Sequence, residues 1–168
     1  MASTLKVQNI AHSGGTNAMT IDSAGRVSSS ANAPIFSVYL NSNLNIPDAT
    51  TTVIQYNTEI YDPSGWYNTS TYRWVPQQAG YYFLRASARW NTATDFDISD
   101  ISIRLNGSAK HQFSWRNERY ETGVASGVLY FNGSSDYSDV IIYQDNTVGT
   151  QAIRGQEGET TFQGFRIF

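Results

Sequence analysis

The chain reads as an all-β protein, and three features of its sequence say so. Aromatic residues make up 14% of its 168 residues and charged residues only 15%, well below the roughly 25% charge of an average soluble domain. Short apolar–polar alternations recur throughout, each bounded by Gly, Pro, Asn or Asp, the punctuation of strands and turns. No stretch carries a competing helical period. This length supports one domain with a well-buried core.

The alternation begins with a short arm. Leu5, Val7 and Ile10 lie in a strand-like run, and Ser13-Gly14-Gly15-Thr16 makes a turn. A second run starts at Ala18 and carries Met19 and Ile21. Asp22-Ser23-Ala24-Gly25 then turns the chain toward Val27, with Asp able to bond its own backbone and Gly tolerating positive φ. Two strands of this size are marginal alone, so the arm is expected to gain order from another chain. Its apolar residues Leu5, Val7, Ile10, Met19, Ile21 and Val27 are the expected anchors. Ser28 to Ala33 is a small-residue linker, which puts the boundary between residues 1–33 and 34–168.

After Pro34, strands follow at short intervals. Ile35–Leu40, Thr52–Tyr56, Ile60-Tyr61, Trp66-Tyr67 and Tyr72–Trp74 come first, with a polar loop through Pro47 and a turn at Asp62-Pro63-Ser64-Gly65. Tyr82–Trp90 is the strongest strand. It places Tyr82, Leu84, Ala86, Ala88 and Trp90 on one face and Phe83, Arg85, Ser87 and Arg89 on the other. Ile98–Leu105 alternates too and ends at Asn106-Gly107, a hairpin dipeptide. Lys110–Trp115, Val124–Phe131, Val140–Tyr143 and Thr160–Phe168 follow, with Asn132-Gly133 as a second hairpin-type turn. About ten strands so spaced predict a sandwich or jelly roll.

Composition also excludes chemistry. A net charge of −3, with Arg116 and Arg119 interrupted by Glu118 and Glu121, leaves no basic footprint for nucleic acid. The absence of cysteine excludes a disulfide framework and thiolate metal sites. No apolar stretch is long enough for a membrane span, and the first residues lack a signal-peptide core. His12 and His111 are the two histidines, and neither sits in a hydrolase motif. Gly14-Gly15 lacks the Lys and the strand–helix setting of a phosphate loop. No enzyme and no cofactor are expected.

Three binding candidates remain. The loop Asp95-Phe96-Asp97-Ile98-Ser99-Asp100 offers oxygen ligands to calcium through Asp95, Asp97 and Asp100, although it lacks the Gly and distal Glu of an EF-hand. The Glu157-Gly158-Glu159 pair is a weaker one. Trp115, Arg116 and Tyr120 are placed at an exposed apex suited to sugar stacking, with loop packing as the plainer reading. Phe83 is different. An aromatic on the outer face of the strongest strand points to a contact with another subunit, and Tyr81 and Phe165 are assigned to the same interface.

Two stretches of the head resemble the C1q globular domain, related in fold to the tumour-necrosis-factor ligands. One is Asn57…Tyr61-Asp62-Pro63-Ser64-Gly65-Trp66-Tyr67…Pro76…Gly80-Tyr81-Tyr82-Phe83; the other is Phe162-Gln163-Gly164-Phe165-Arg166-Ile167. The resemblance covers roughly residues 34–168 and implies a ten-stranded jelly roll assembled as a homotrimer. The arm, through Ser3-Thr4-Leu5-Lys6-Val7…Ile10 and Ala18-Met19-Thr20-Ile21-Asp22-Ser23-Ala24-Gly25-Arg26-Val27, resembles N-terminal segments of structural proteins from tailed phages, cyanophages especially.

Together these imply a capsid decoration protein at the virion surface, bound to the major capsid protein through its arm. The alternative is a tail-fibre tip, seated on a fibre or baseplate protein and recognising host glycans.

Overall fold

The computed structural model describes residues 6–15, 17–29, 34–91, 96–117 and 120–167. The chain divides after Ala33 into two compact units. The first holds β1 (Asn9–Ala11), β2 (Asn17–Ile21) and β3 (Val27–Ser29) in a three-stranded antiparallel sheet of that order. The sequence predicts two strands here; Val27–Ser29 adds a third. The turn at Asp22 makes this possible, because Asp22 Oδ1 accepts from the Ala24 and Arg26 amides, each at 2.9 Å, and Gly25 takes a positive φ.

The second unit contains β4 (Ile35–Tyr39), β5 (Leu44–Ile46), β6 (Thr52–Val53), β7 (Thr58–Tyr61), β8 (Tyr67–Asn68), β9 (Arg73–Trp74), β10 (Gly80–Arg89), β11 (Phe96–Leu105), β12 (Ser108–Asn117), β13 (Thr122–Phe131), β14 (Ser138–Asp145), β15 (Gln151–Ile153) and β16 (Thr161–Arg166). A five-stranded sheet runs β13-β10-β16-β4-β7, and a six-stranded sheet runs β12-β11-β14-β9-β8 with β6 on β14. The fold is all-β, as the alternation predicts.

Thirteen strands form among the head's described residues rather than ten. The extra ones are short. β5 pairs with β15 inside what reads as a polar loop, where Ile46 alone is fully buried. Asn132-Gly133 is also not a hairpin turn, because β13 and β14 belong to different sheets. Its Asn132 Oδ1 instead collects the Ser134 and Ser135 amides at 2.9 and 3.0 Å, turning the chain from one layer to the other.

The true hairpin is Asn106-Gly107. Both residues take positive φ, 51° and 80°, as the favoured two-residue turn requires.

The core lies between the sheets. Tyr82, Leu84, Ala86 and Ala88 on the inward register of β10, and Trp90 just beyond its end, are all buried. Phe36 stacks on Trp74 at 4.7 Å, and Tyr82 and Phe131 meet Trp74 edge-on at 4.9 and 5.3 Å. Gly164 lets β16 close on this cluster. A Cβ there would sit 2.5 Å from Leu84 Cδ2 and 2.8 Å from the Phe83 carbonyl.

The turn at Asp62 positions the sheet ends. Gly65 N donates to Asp62 O at 3.0 Å, and Tyr67 N donates to Asp62 Oδ2 at 2.7 Å.

Candidate functional site

The five-stranded sheet has a second face, and one end of it leaves Tyr81, Val128, Tyr130 and Phe165 exposed among the described residues. Register places Phe83 opposite both Val128 and Phe165, Phe165 opposite Ile35, and Tyr81 opposite Tyr130. Cross-strand partners point the same way, so the expected trio Tyr81, Phe83 and Phe165 meets on one surface. Phe83 and Phe165 lie 5.5 Å apart, and Tyr81 and Tyr130 lie 5.2 Å apart. Phe165 is 48% and Tyr130 51% exposed. Ile35, Tyr61, Phe83 and Phe165 also line a cleft of about 160 Å³.

Sequence reading missed Ile35, Tyr61, Val128 and Tyr130 here. The alternation could have found two of them: in Val128-Leu129-Tyr130-Phe131, buried Phe131 fixes which positions face outward.

Farther along β10 the same face turns polar. Arg85 stands opposite Ser126 and Gln163. Arg89 Nη1 donates to Glu159 Oε1 at 2.6 Å, and Arg154 Nε approaches Glu159 Oε2 at 3.3 Å. Glu159 is therefore engaged as an ion-pair acceptor. A surface apolar at one end and polar at the other suits a specific protein contact better than a small-ligand cavity.

The outer face of the six-stranded sheet carries Asp100, Ser102, Arg104 and Asp139 beside Ile98 and Ile141. Asp139 is buried, and its carboxylate accepts from Arg104 Nε and Nη2, each at 2.7 Å. That fork raises the Arg104 guanidinium above its ordinary pKa. Ser138 donates its hydroxyl to the Arg104 carbonyl at 2.8 Å, and Arg73 lies 4.0 Å over the Tyr137 ring.

The remaining candidates fare differently. Asp95 and Leu5 lie outside the described residues. Asp97 and Asp100 share an open cleft with Ile98, Ser114, Trp115 and Arg116, and Asp100 Oδ1 is buried without a hydrogen bond. The guanidinium in this cleft competes with any cation, and no group of three or more metal-ligating side chains occurs among the described residues.

Trp115 is not part of an exposed apex. It is half-buried in β12, packed against the core and stacked on Phe113 at 5.6 Å. A Cβ at Gly123 would come within 2.1 Å of the Trp115 ring, so that glycine makes the seat for the indole. Gly127 does the same for the His111 ring, at 2.2 Å. Arg116 and Tyr120 are exposed. Among the described residues no helix is long and apolar enough to cross a membrane.

Solved structures share this architecture. The globular domain of zebrafish complement 1qA is 18% identical, with a TM-score of 0.58, over 82% of this chain and 98% of its own. Murine APRIL is 12% identical, with a TM-score of 0.61, over 81% of this chain and 100% of its own. The Eiger TNF of S. frugiperda is 9% identical, with a TM-score of 0.54, over 81% of this chain and 93% of its own.

The head is a C1q/TNF-type jelly roll. No family model matches the chain, and no curated protein sequence matches it. At these identities the jelly-roll likeness concerns fold alone.

Proposed function

We propose that this chain is a non-enzymatic structural protein of a phage particle: a homotrimer of jelly-roll heads fixed to the capsid by their arms. The observation that carries the reading is the exposed apolar end of the five-stranded sheet, with Tyr81, Phe83, Phe165, Ile35, Val128 and Tyr130 contiguous on it. Exposed apolar surface of this extent marks an interaction site. Sister copies are the simplest cover, because one closed rotation buries the same patch on every chain.

The arm supports attachment. In its sheet β1 and β3 are the outer strands, so each offers a row of backbone groups to a strand of the capsid protein. Three such arms on one rigid body give avidity without a large interface. The tail-fibre reading shares fold and trimer and differs in the arm's partner. The open cleft beside Arg116 is the observation that favours it.

Removal of residues 1–33 is expected to leave a folded trimer that no longer binds capsids in a co-sedimentation assay; unimpaired binding overturns the arm's role. Phe83→Asp is expected to give monomers or aggregates, since a lone buried carboxylate at the contact costs several kcal/mol. Imaging of labelled particles then decides the location, with many capsid sites excluding the fibre.

A further inference from the structure

The register of the arm sheet decides which of its side chains share a face. Ile10 stands opposite Met19, and Ile21 opposite Val27. Cross-strand partners and residues two apart on one strand point to the same side. Ile10, Met19, Ile21 and Val27 therefore form one apolar face, and Asn9 and Thr20, also paired, point the other way. Among the described residues of the arm unit no second layer covers the apolar side: Ile10 is 48% and Val27 60% exposed.

The size of this face argues against a foreign protein as its cover. A stable interface between free proteins buries roughly 1,200 Å² or more, beyond the reach of four side chains. A tethered neighbour needs far less.

Six residue steps join Ser29 to Ile35, a span of at most roughly 20 Å when fully extended. Ile35 belongs to the head face assigned above to sister chains. Three arms rooted beside one another meet at effective concentrations in the millimolar range, where a small apolar contact suffices. Charge does not oppose this. Residues 1–33 carry only Lys6, Asp22 and Arg26 as charged side chains, and Asp22 and Arg26 pair with each other at 2.7 Å.

We infer that the apolar face of each arm is covered by the arms of its two sister chains, leaving the strand edges and the Asn9–Thr20 face for the virion partner. This rests on the trimer reading of the head.

The absence of cysteine makes the test clean. Ile10→Cys, Val27→Cys and Thr20→Cys are made singly in the full chain and treated with a short bis-maleimide, and sedimentation reads the assembly state of each. The inferred packing predicts several-fold more cross-linked dimer from Ile10→Cys and Val27→Cys than from Thr20→Cys, all three remaining trimers. Equal yields from both faces of an intact trimer overturn the inference and leave the head assembly standing. A full-length chain that sediments as a monomer, with no cross-linking at any position, removes both.

Discussion

Arm and head are both built of antiparallel sheet with an apolar face to cover, yet they solve the burial problem differently. The head lays a second sheet over the first, so Trp74, Tyr82, Leu84 and Phe162 lose essentially all contact with water. The described residues of the arm form a single layer, and Ile10 and Val27 stay exposed. A sheet one layer thick cannot stabilise itself by burial. Burial is thus concentrated in the head, which also carries an apolar face turned away from its own core.

This contrast can be tested by how substitutions register in each unit. The largest effect is expected from Trp74→Ala. It empties the centre of the ring cluster and should cost about 3–5 kcal/mol in denaturant unfolding of the head. A loss below about 1 kcal/mol would show that the sandwich core is not where head stability resides.

Asp139→Ala comes next. It leaves the partly buried Arg104 without its forked partner and should cost about 2–4 kcal/mol. Replacing Arg104 and Asp139 together by Met and Leu should recover much of that loss, and failure to recover would assign the cost to packing.

A smaller effect is expected from alkali. Burial pushes the Tyr56 and Tyr67 hydroxyls well above the ordinary tyrosine range. Tyr67 donates to the Tyr56 carbonyl at 2.8 Å, and Tyr56 to the Ser87 carbonyl at 3.2 Å. The folded head keeps both neutral, whereas the unfolded chain ionises them near pH 10. Stability is therefore fully present below pH 10 and falls above it, by about 1.4 kcal/mol per pH unit for each tyrosine. Tyr56→Phe and Tyr67→Phe should each flatten the alkaline limb of a stability–pH curve; an unchanged slope would mean the hydroxyls ionise in place.

The smallest effect should come from the arm. Val27→Ser should move the head's unfolding midpoint by less than about 0.5 kcal/mol, measured by near-ultraviolet circular dichroism. A larger shift would mean the two units do not unfold independently.

Much of this was legible because strand alternation is a local property. The inward set of β10 and the outward position of Phe83 follow from a period of two and one buried neighbour. The Asp62 turn and the Asn106-Gly107 hairpin follow from backbone chemistry that needs no distant partner.

What eluded sequence reading depended on distant residues. β5 is a strand only because β15 runs beside it, more than a hundred positions later in sequence. Asn132-Gly133 carries hairpin chemistry, but it joins strands of different sheets, and no local signal tells one layer from the next. Trp115 sits in a polar context yet packs inward, since only the packing of one sheet on the other brings Gly123 beneath its ring.

The sequence by itself determined the all-β class, the strongest strands and the face each presents, because side-chain alternation is set residue by residue. Tertiary structure alone decided which strands became neighbours. It thereby gathered Ile35, Phe83, Val128 and Phe165, far apart in the chain, into one continuous apolar surface. The physical reason is that a face is made by register across strands, and register is fixed only when the whole sandwich closes.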